Sequence, residues 1–281
     1  MSATALTAGL RAGPVDTVHP LLVRQRPATG EPHLRGLLLH GLASGSSVWD
    51  SVWPNAPGGV EAWVADLPWR GDYVSAWGRQ YQETDWMASC LDAVPGGVDV
   101  VIAHSFSANL LMEFLSRQAA RGADPYAEYG IKGIVLVSPF YRRNADDFAW
   151  DAIAGMQQDF LKITEEGIRL RPGRPIDPDI QRRMARRVCE RAGPYGWMRF
   201  FEVYLRTPWL RTDLIPVPVL VVTGQQDFAA RESETLAADL PQGALRVIPE
   251  CGHYPMAEHA ERFSAELDRF FATFLPTPRS A

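Results

Sequence analysis

The sequence predicts an α/β fold: a doubly wound, mostly parallel sheet with one helical cap inserted into it. Three observations point there. Apolar runs of strand length read as continuous rather than alternating, which suits strands buried on both faces. Between those runs, apolar residues recur at three- and four-residue spacing, the pattern of amphipathic helices. One long segment carries helical patterns and no clear strand.

In chain order, Thr17 to Arg26 is a candidate antiparallel edge hairpin. Strands are predicted over Gly36 to Leu39, Val60 to Ala65, Val98 to Ala103, Ile131 to Val137, Val217 to Thr223 and Ala244 to Ile248, each bounded by Gly, Pro or Asp. Helices are predicted over Ser46 to Trp53, Thr84 to Ala93, Ser107 to Arg121, Arg231 to Leu240 and Ala257 to Phe274. Alternation of this kind builds a parallel sheet, because each crossover passes through a helix. From Tyr141 to Arg211 the alternation stops. Helical stretches at Asp147 to Gly167 and Asp179 to Arg191 flank the turn-rich RPGRPIDPD. That segment holds 14 basic and 10 acidic residues in a chain of net charge −5. The expected organisation is a core of residues 1–140 and 212–281, with a cap of residues 141–211 inserted between two of its strands.

At 281 residues the chain buries an ample hydrophobic core without staples. Cys90, Cys189 and Cys251 have neither CxxC spacing nor a His-rich neighbourhood, so neither a disulfide framework nor a zinc site is indicated. The net charge of −5 argues against nucleic acid as the main partner, since phosphate binding needs an electropositive face. No stretch approaches the length needed to span a bilayer, and MSATALTAGLRAGP lacks the apolar core of a signal peptide. A soluble, cytoplasmic protein with no membrane partner is expected.

The stretch VVIAHSFSANLLMEFL delivers Ser105 to the junction of a buried strand and a helix. That junction lies at the carboxyl edge of the sheet, where open α/β sheets bind ligands. Taken alone, a serine there is more often a helix N-cap than a nucleophile. Two other residues change the reading, because a hydroxyl becomes a useful nucleophile with a base to take its proton and a carboxylate to orient that base. VLVVTGQQDF ends a later strand with Asp227, and VIPECGHYPMAEH places His253 in the loop after the next. Both therefore fall on the sheet edge of Ser105. Asp146 and Asp147 are alternative carboxylates. Gly41, in the His40-Gly41-Leu42 turn, keeps side chains out of the way, so the Leu42 and Phe106 amides are candidates to hold an oxyanion.

These motifs resemble those of the α/β-hydrolase superfamily, specifically its cap-bearing serine hydrolases. HG after the first long strand, DLPWRG at Asp66 to Gly71, the AHSFS elbow, SPF, GQQD and GH occur in order from about Gly36 to Phe274, with the cap as the interruption. The resemblance implies Ser105 as nucleophile, His253 as general base and then acid, Asp227 as orienting carboxylate, and Leu42 and Phe106 as oxyanion donors. It also implies no cofactor. The elbow departs from the usual GxSxG, since Ala103 and Ser107 occupy the small positions and Ser107 offers a second hydroxyl. A serine at this position disfavours chemistry that needs a carboxylate nucleophile, such as epoxide opening or halide displacement.

The expected activity is hydrolysis of an ester, thioester or related acyl bond through an acyl-enzyme. Acyl transfer or lactonisation would share the first half-reaction, and a ligand-binding receptor on the same fold is the non-enzymatic alternative. Trp69, Phe140, Trp150, Trp197 and Phe201 are candidates to line an apolar pocket. In QRRMARRVCER, Arg183, Arg187 and Arg191 recur at four-residue spacing, which reads either as a solvated face or as a dock for a carrier-bound acyl substrate. His40 and His104 read as structural.

Overall fold

The computed structural model describes residues 5–7, 22–28, 32–55, 59–69, 84–170 and 176–273. Its described strands are β1 (Ala5–Thr7), β2 (Leu22–Arg26), β3 (Leu34–Leu39), β4 (Val60–Asp66), β5 (Val100–His104), β6 (Gly133–Val137), β7 (Val219–Gly224) and β8 (Gly243–Ile248). They form one sheet in the order β1-β2-β4-β3-β5-β6-β7-β8. The first two strands pair antiparallel at one edge, β2 also pairs antiparallel with β4, and the remaining neighbours are parallel. The predicted edge segment is thus strand from Leu22, while residues 17–21 lie outside the described residues.

Every residue of β5, β6 and β7 is buried, which explains their continuous apolar sequences. Successive side chains serve opposite layers. Val101, Ala103, Ile134, Leu136, Val219 and Val221 enter one core, and Val100, Ile102, Val135, Val137, Leu220 and Val222 enter the other. A fully buried Val, Leu or Ile contributes about 1.5–3 kcal/mol, so the two layers lock the register of the central strands.

The helices are α1 (Asp85–Asp92), α2 (Phe106–Ala120), α3 (Pro125–Tyr129), α4 (Trp150–Arg169), α5 (Pro178–Leu205), α6 (Ala230–Asp239), α7 (Pro255–Glu258) and α8 (Ala260–Phe271). Three differ from expectation. The Ser46 to Trp53 segment is not an α-helix but a 3₁₀ turn at Ser46–Trp49, followed by a second at Trp53–Asn55 that contains Pro54. The short α3 was not expected, since five residues carry too little periodicity; Asp124 caps it through the Tyr126 and Ala127 amides, and Gly130 ends it at φ 79°. The predicted last helix is divided at His259 (φ −132°), whose extended backbone separates α7 from α8.

Between β6 and β7 the described residues hold α4 and α5 and no strand. Gly193 (φ 58°), next to Pro194, breaks α5 into two arms. The second arm is tied to the core by a polar network: the Tyr204 hydroxyl donates to Glu232 at 2.6 Å, and Arg142 pairs with Glu232 at 2.9 Å. Among the described residues no helix is long and apolar enough to cross a membrane.

Candidate active site

Ser105 occupies the turn between β5 and α2 with φ 53° and ψ −119°, a conformation that costs a non-glycine residue of order 1–3 kcal/mol. Main-chain bonds hold it there. Its amide donates to the Val137 carbonyl at 2.8 Å, and its carbonyl accepts from the Ala108 and Asn109 amides at 2.9 and 3.2 Å. The turn is tolerated because the opposing loop is bare: a Cβ on Gly41 would lie 3.0 Å from His104 Nδ1 and 3.1 Å from Ser105 Cβ. Ala103 and Ser107 therefore fit at the elbow, with the closest clearance provided by glycine on the facing loop.

Ser107 is fully buried, and its hydroxyl donates to the His40 carbonyl. It is a strut between α2 and the loop after β3, with its hydroxyl committed to that bond. His40 is structural too, accepting the Leu67 amide at Nε2 (2.9 Å) while Nδ1 donates to the Gly41 carbonyl (2.8 Å).

The register of the parallel strands brings three loops together at one edge. His253 Nε2 lies 3.0 Å from Ser105 Oγ, and His253 Nδ1 lies 3.0 Å from Asp227 Oδ1. All three residues are buried, at 6 % exposure or less. Nδ1–H donating to the carboxylate leaves the Nε2 lone pair facing the serine hydroxyl. Burial pushes the Asp227 carboxyl upward, but His253, Ser138 and the Ala229 amide outweigh it and hold the group at about 2. Asp227 is therefore charged wherever the protein is folded near neutrality. The alternatives Asp146 and Asp147 are exposed, and Asp147 accepts the Asn144 amide at 3.1 Å.

The His253 loop is braced by residues the sequence did not single out for this purpose. His104 Nε2 donates to the His253 carbonyl at 3.0 Å, and Ser138 Oγ donates to the same carbonyl at 3.3 Å. Burial, then the neighbouring His253, holds His104 well below the usual imidazole range, so it stays neutral. From α4, Glu166 Oε1 accepts the His253 amide at 2.8 Å. The rings of Phe140 and Phe228 flank the imidazole, with centroids 5.9 and 5.7 Å away.

A cavity opens above Ser105. Its floor includes Gly41, Leu42, His104 and His253, and its walls include Phe160, Ile163 and Ile168 of the α4 segment and Val188, Ala192 and Trp197 of α5. Leu42 lies in the loop after β3, while Phe106 is the first residue of α2, where a helix turns its N–H groups outward. Among the described lining residues there is no Lys, Arg, Asp or Glu.

Of the aromatic residues proposed for the pocket, Trp197 lines it. Trp69 does not: it is fully buried below, edge-on to Phe106 at 5.5 Å, with its indole N–H donating to the His40 carbonyl. Phe140 is likewise core, wedged against Phe200 at 5.1 Å and Phe228 at 5.1 Å. Phe201 packs against Phe200 at 5.5 Å and is absent from the lining. The Trp150 side chain lies outside the described residues. Phe160, another of the cap aromatics, lies edge-on to Trp197 at 4.4 Å and lines the cavity beside it. Arg183, Arg187 and Arg191 are all exposed on α5 and take no part in the cavity. Cys90 and Cys251 are buried, and burial raises both thiols; Cys189 lines the cavity half-buried.

Residues 37–266 match the profile of the alpha/beta hydrolase family. Over 65 residues the sequence is 38% identical to 2-hydroxymuconate semialdehyde hydrolase of Pseudomonas putida, a match that takes in 22% of this chain and only 23% of the relative's length. Three solved structures are similar across nearly the whole chain. A meta-cleavage product hydrolase of Pseudomonas fluorescens is 17% identical with a TM-score of 0.63, covering 96% of this chain and 98% of its own. A thermophilic esterase of Thermogutta terrifontis is 18% identical with a TM-score of 0.59, covering 98% and 100%. A carboxylesterase of Bacillus subtilis is 15% identical with a TM-score of 0.59, covering 98% and 93%. At these identities the structural likeness is one of fold.

Proposed function

Because the chain belongs to the alpha/beta hydrolase family, we propose that it is a serine hydrolase that cleaves an ester, thioester or related acyl bond through an acyl-enzyme. The observation that carries this reading is the unbroken contact chain Ser105 Oγ, His253, Asp227, with 3.0 Å at each step.

Ser105 Oγ attacks the acyl carbonyl carbon as its proton passes to His253 Nε2. The imidazolium so formed is stabilised by the Asp227 carboxylate at Nδ1. The carbonyl oxygen becomes an oxyanion, for which the Leu42 and Phe106 amides are the candidate donors. Collapse of the tetrahedral species breaks the bond to the alkoxide or thiolate, which leaves with the proton from His253. Water then attacks the Ser105 ester with His253 again as base, releasing the acid and restoring the hydroxyl. The apolar walls from α4 and α5 suit an uncharged acyl group.

A second reading, hydrolysis of a meta-cleavage product, is favoured by the 65-residue match to the Pseudomonas putida enzyme.

A fluorophosphonate probe separates these readings from non-catalytic binding. Wild-type protein is expected to be labelled and Ser105→Ala is not, with turnover in the variant falling by about 10⁴-fold or more. A well-folded wild-type protein that takes no label would remove the hydrolase reading. A substrate panel of neutral esters, acyl thioesters and a meta-cleavage product distinguishes the two substrate classes by kcat/KM.

A further inference from the structure

Glu166 projects from α4 into the base of the site. One carboxyl oxygen accepts the His253 amide at 2.8 Å. The carboxyl also hydrogen-bonds that of Glu258 on α7, and Glu258 Oε1 accepts the Gly252 amide at 3.0 Å. Two carboxyl groups can hydrogen-bond only if one of them carries the proton. Burial first, then the contact with Glu258, pushes Glu166 up to about 8, so the pair holds a proton between its two carboxyls at neutral pH. Its fit is close: a Cβ on Gly252 would lie 2.5 Å from one Glu166 oxygen and 2.7 Å from the other. One residue on, Gly167 lets α4 approach the same loop, since a Cβ there would lie 2.8 Å from the Tyr254 hydroxyl.

The described groups that meet the pair come from α7 and from the loops after β7 and β8. They are Glu258 on α7, Asp227 after β7, and Cys251, the His253 amide and Tyr254 in the loop after β8. Of these, Glu258 and Asp227 both oppose a negative charge on Glu166, so its ionisation sets like charges against each other.

We propose that Glu166 is a positioning residue: sharing its proton with Glu258, it fixes the His253 amide from the helical insert and so holds the imidazole between Ser105 and Asp227. The inference rests on the acyl-enzyme reading above. The His253 peptide is then clamped at both ends, its carbonyl by His104 and Ser138 of the core and its N–H by Glu166. The helix that supplies Phe160, Ile163 and Thr164 to the cavity wall also supplies this clamp. Above about pH 8 Glu166 ionises, the pair repels, and turnover falls.

Glu166→Gln and Glu166→Ala test this. A glutamine reproduces the protonated acid, since its carbonyl accepts the His253 N–H and its amide donates to Glu258. It is expected to keep kcat within about two-fold at pH 7 and to lose the alkaline fall. Alanine removes the clamp, and kcat is expected to drop about 10–100-fold while KM stays within about three-fold. Thermal melting reports folding. If alanine does not fold, the pH profile of the glutamine variant decides alone. The proposal is overturned if wild type shows no alkaline fall, if Glu166→Gln retains it, or if folded Glu166→Ala keeps wild-type kcat. Fluorophosphonate labelling of wild type is measured first: no label removes the acyl-enzyme reading, whereas labelled protein with an unmoved profile removes only the role of Glu166.

Discussion

Ser105 and His253 stand 3.0 Å apart, yet they are held there by different means. Ser105 is set by main chain alone: the end of β5, the start of α2, and amide and carbonyl bonds to Val137, Ala108 and Asn109. His253 sits in a loop held by side chains that arrive from four other segments, namely His104, Ser138, Glu166 and Asp227. Backbone placement is a product of the fold and survives side-chain changes nearby. Side-chain placement is tunable, since each brace can be altered singly and one of them, Glu166, can titrate. The nucleophile is therefore the robust half of the pair and the base is the adjustable half.

The two carboxyls that grip His253 show how far the adjustment reaches. Asp227 binds the imidazole and is held at about 2 because the partial positive charges around it exceed the cost of burial. Glu166 binds the main chain and is pushed up to about 8, first by burial and then by the neighbouring carboxyl. One is a permanent anion, the other a neutral acid with a proton to lose.

The largest test of the asymmetry is Asp227→Asn. Asparagine preserves the shape but carries no charge to stabilise the imidazolium, and its NH2 can donate to Nδ1 and hold His253 in the wrong tautomer. Turnover is expected to fall about 10⁴-fold while the protein remains folded. Fluorophosphonate labelling should slow in parallel, because Ser105 has not moved but has lost its base. Near-normal turnover would show that the base is not governed by this side chain.

An intermediate effect is expected where the two halves touch. Gly41 faces both His104 and Ser105: a Cβ built on it would lie 3.0 Å from His104 Nδ1 and 3.1 Å from Ser105 Cβ. Gly41→Ala pushes on the elbow and on a brace of the His253 loop together. Overpacking of this kind costs about 1–3 kcal/mol, measurable by thermal or denaturant unfolding. Turnover is expected to drop by about 10-fold, because even a few tenths of an ångström at the elbow is felt at the reacting atoms. Wild-type stability and turnover in Gly41→Ala would mean that the facing loops are not in register with the elbow.

The same asymmetry explains what could be read from the sequence. Continuous apolar runs mark β5, β6 and β7 because both faces are buried, and Ser105, Asp227 and His253 each follow a strand, so their convergence is visible without coordinates. The braces are not. Glu166 is 87 residues from His253, Ser138 is 115 and His104 is 149, and no local pattern links residues so far apart. Aromatic residues misled for a related reason. Trp69 and Phe140 carry large apolar side chains, which predicts burial but not whether that burial lies in the pocket wall or beneath it. Ser107 was legible as a second hydroxyl at the elbow and not as a strut, because its partner, the His40 carbonyl, is a main-chain atom 67 residues away.

Ser107 gives the smallest expected effect and the sharpest check on the robust half. Removing its hydroxyl in Ser107→Ala takes one donor from the His40 carbonyl. That carbonyl keeps a second donor, the Trp69 indole N–H at 3.2 Å, so no buried acceptor is stranded. The cost should therefore lie near the low end for a buried hydrogen bond, about 1 kcal/mol by unfolding. Alanine is also small enough for the space beside the elbow, as Ala103 on the other side already demonstrates. With Ser105 fixed by Val137 and the first turn of α2, kcat should stay within about three-fold of wild type, the expectation for a site whose reacting geometry is unchanged. A folded Ser107→Ala protein that lost labelling or turnover would reverse the assignment, since the second hydroxyl would then belong to the chemistry and the elbow would not be held by backbone alone.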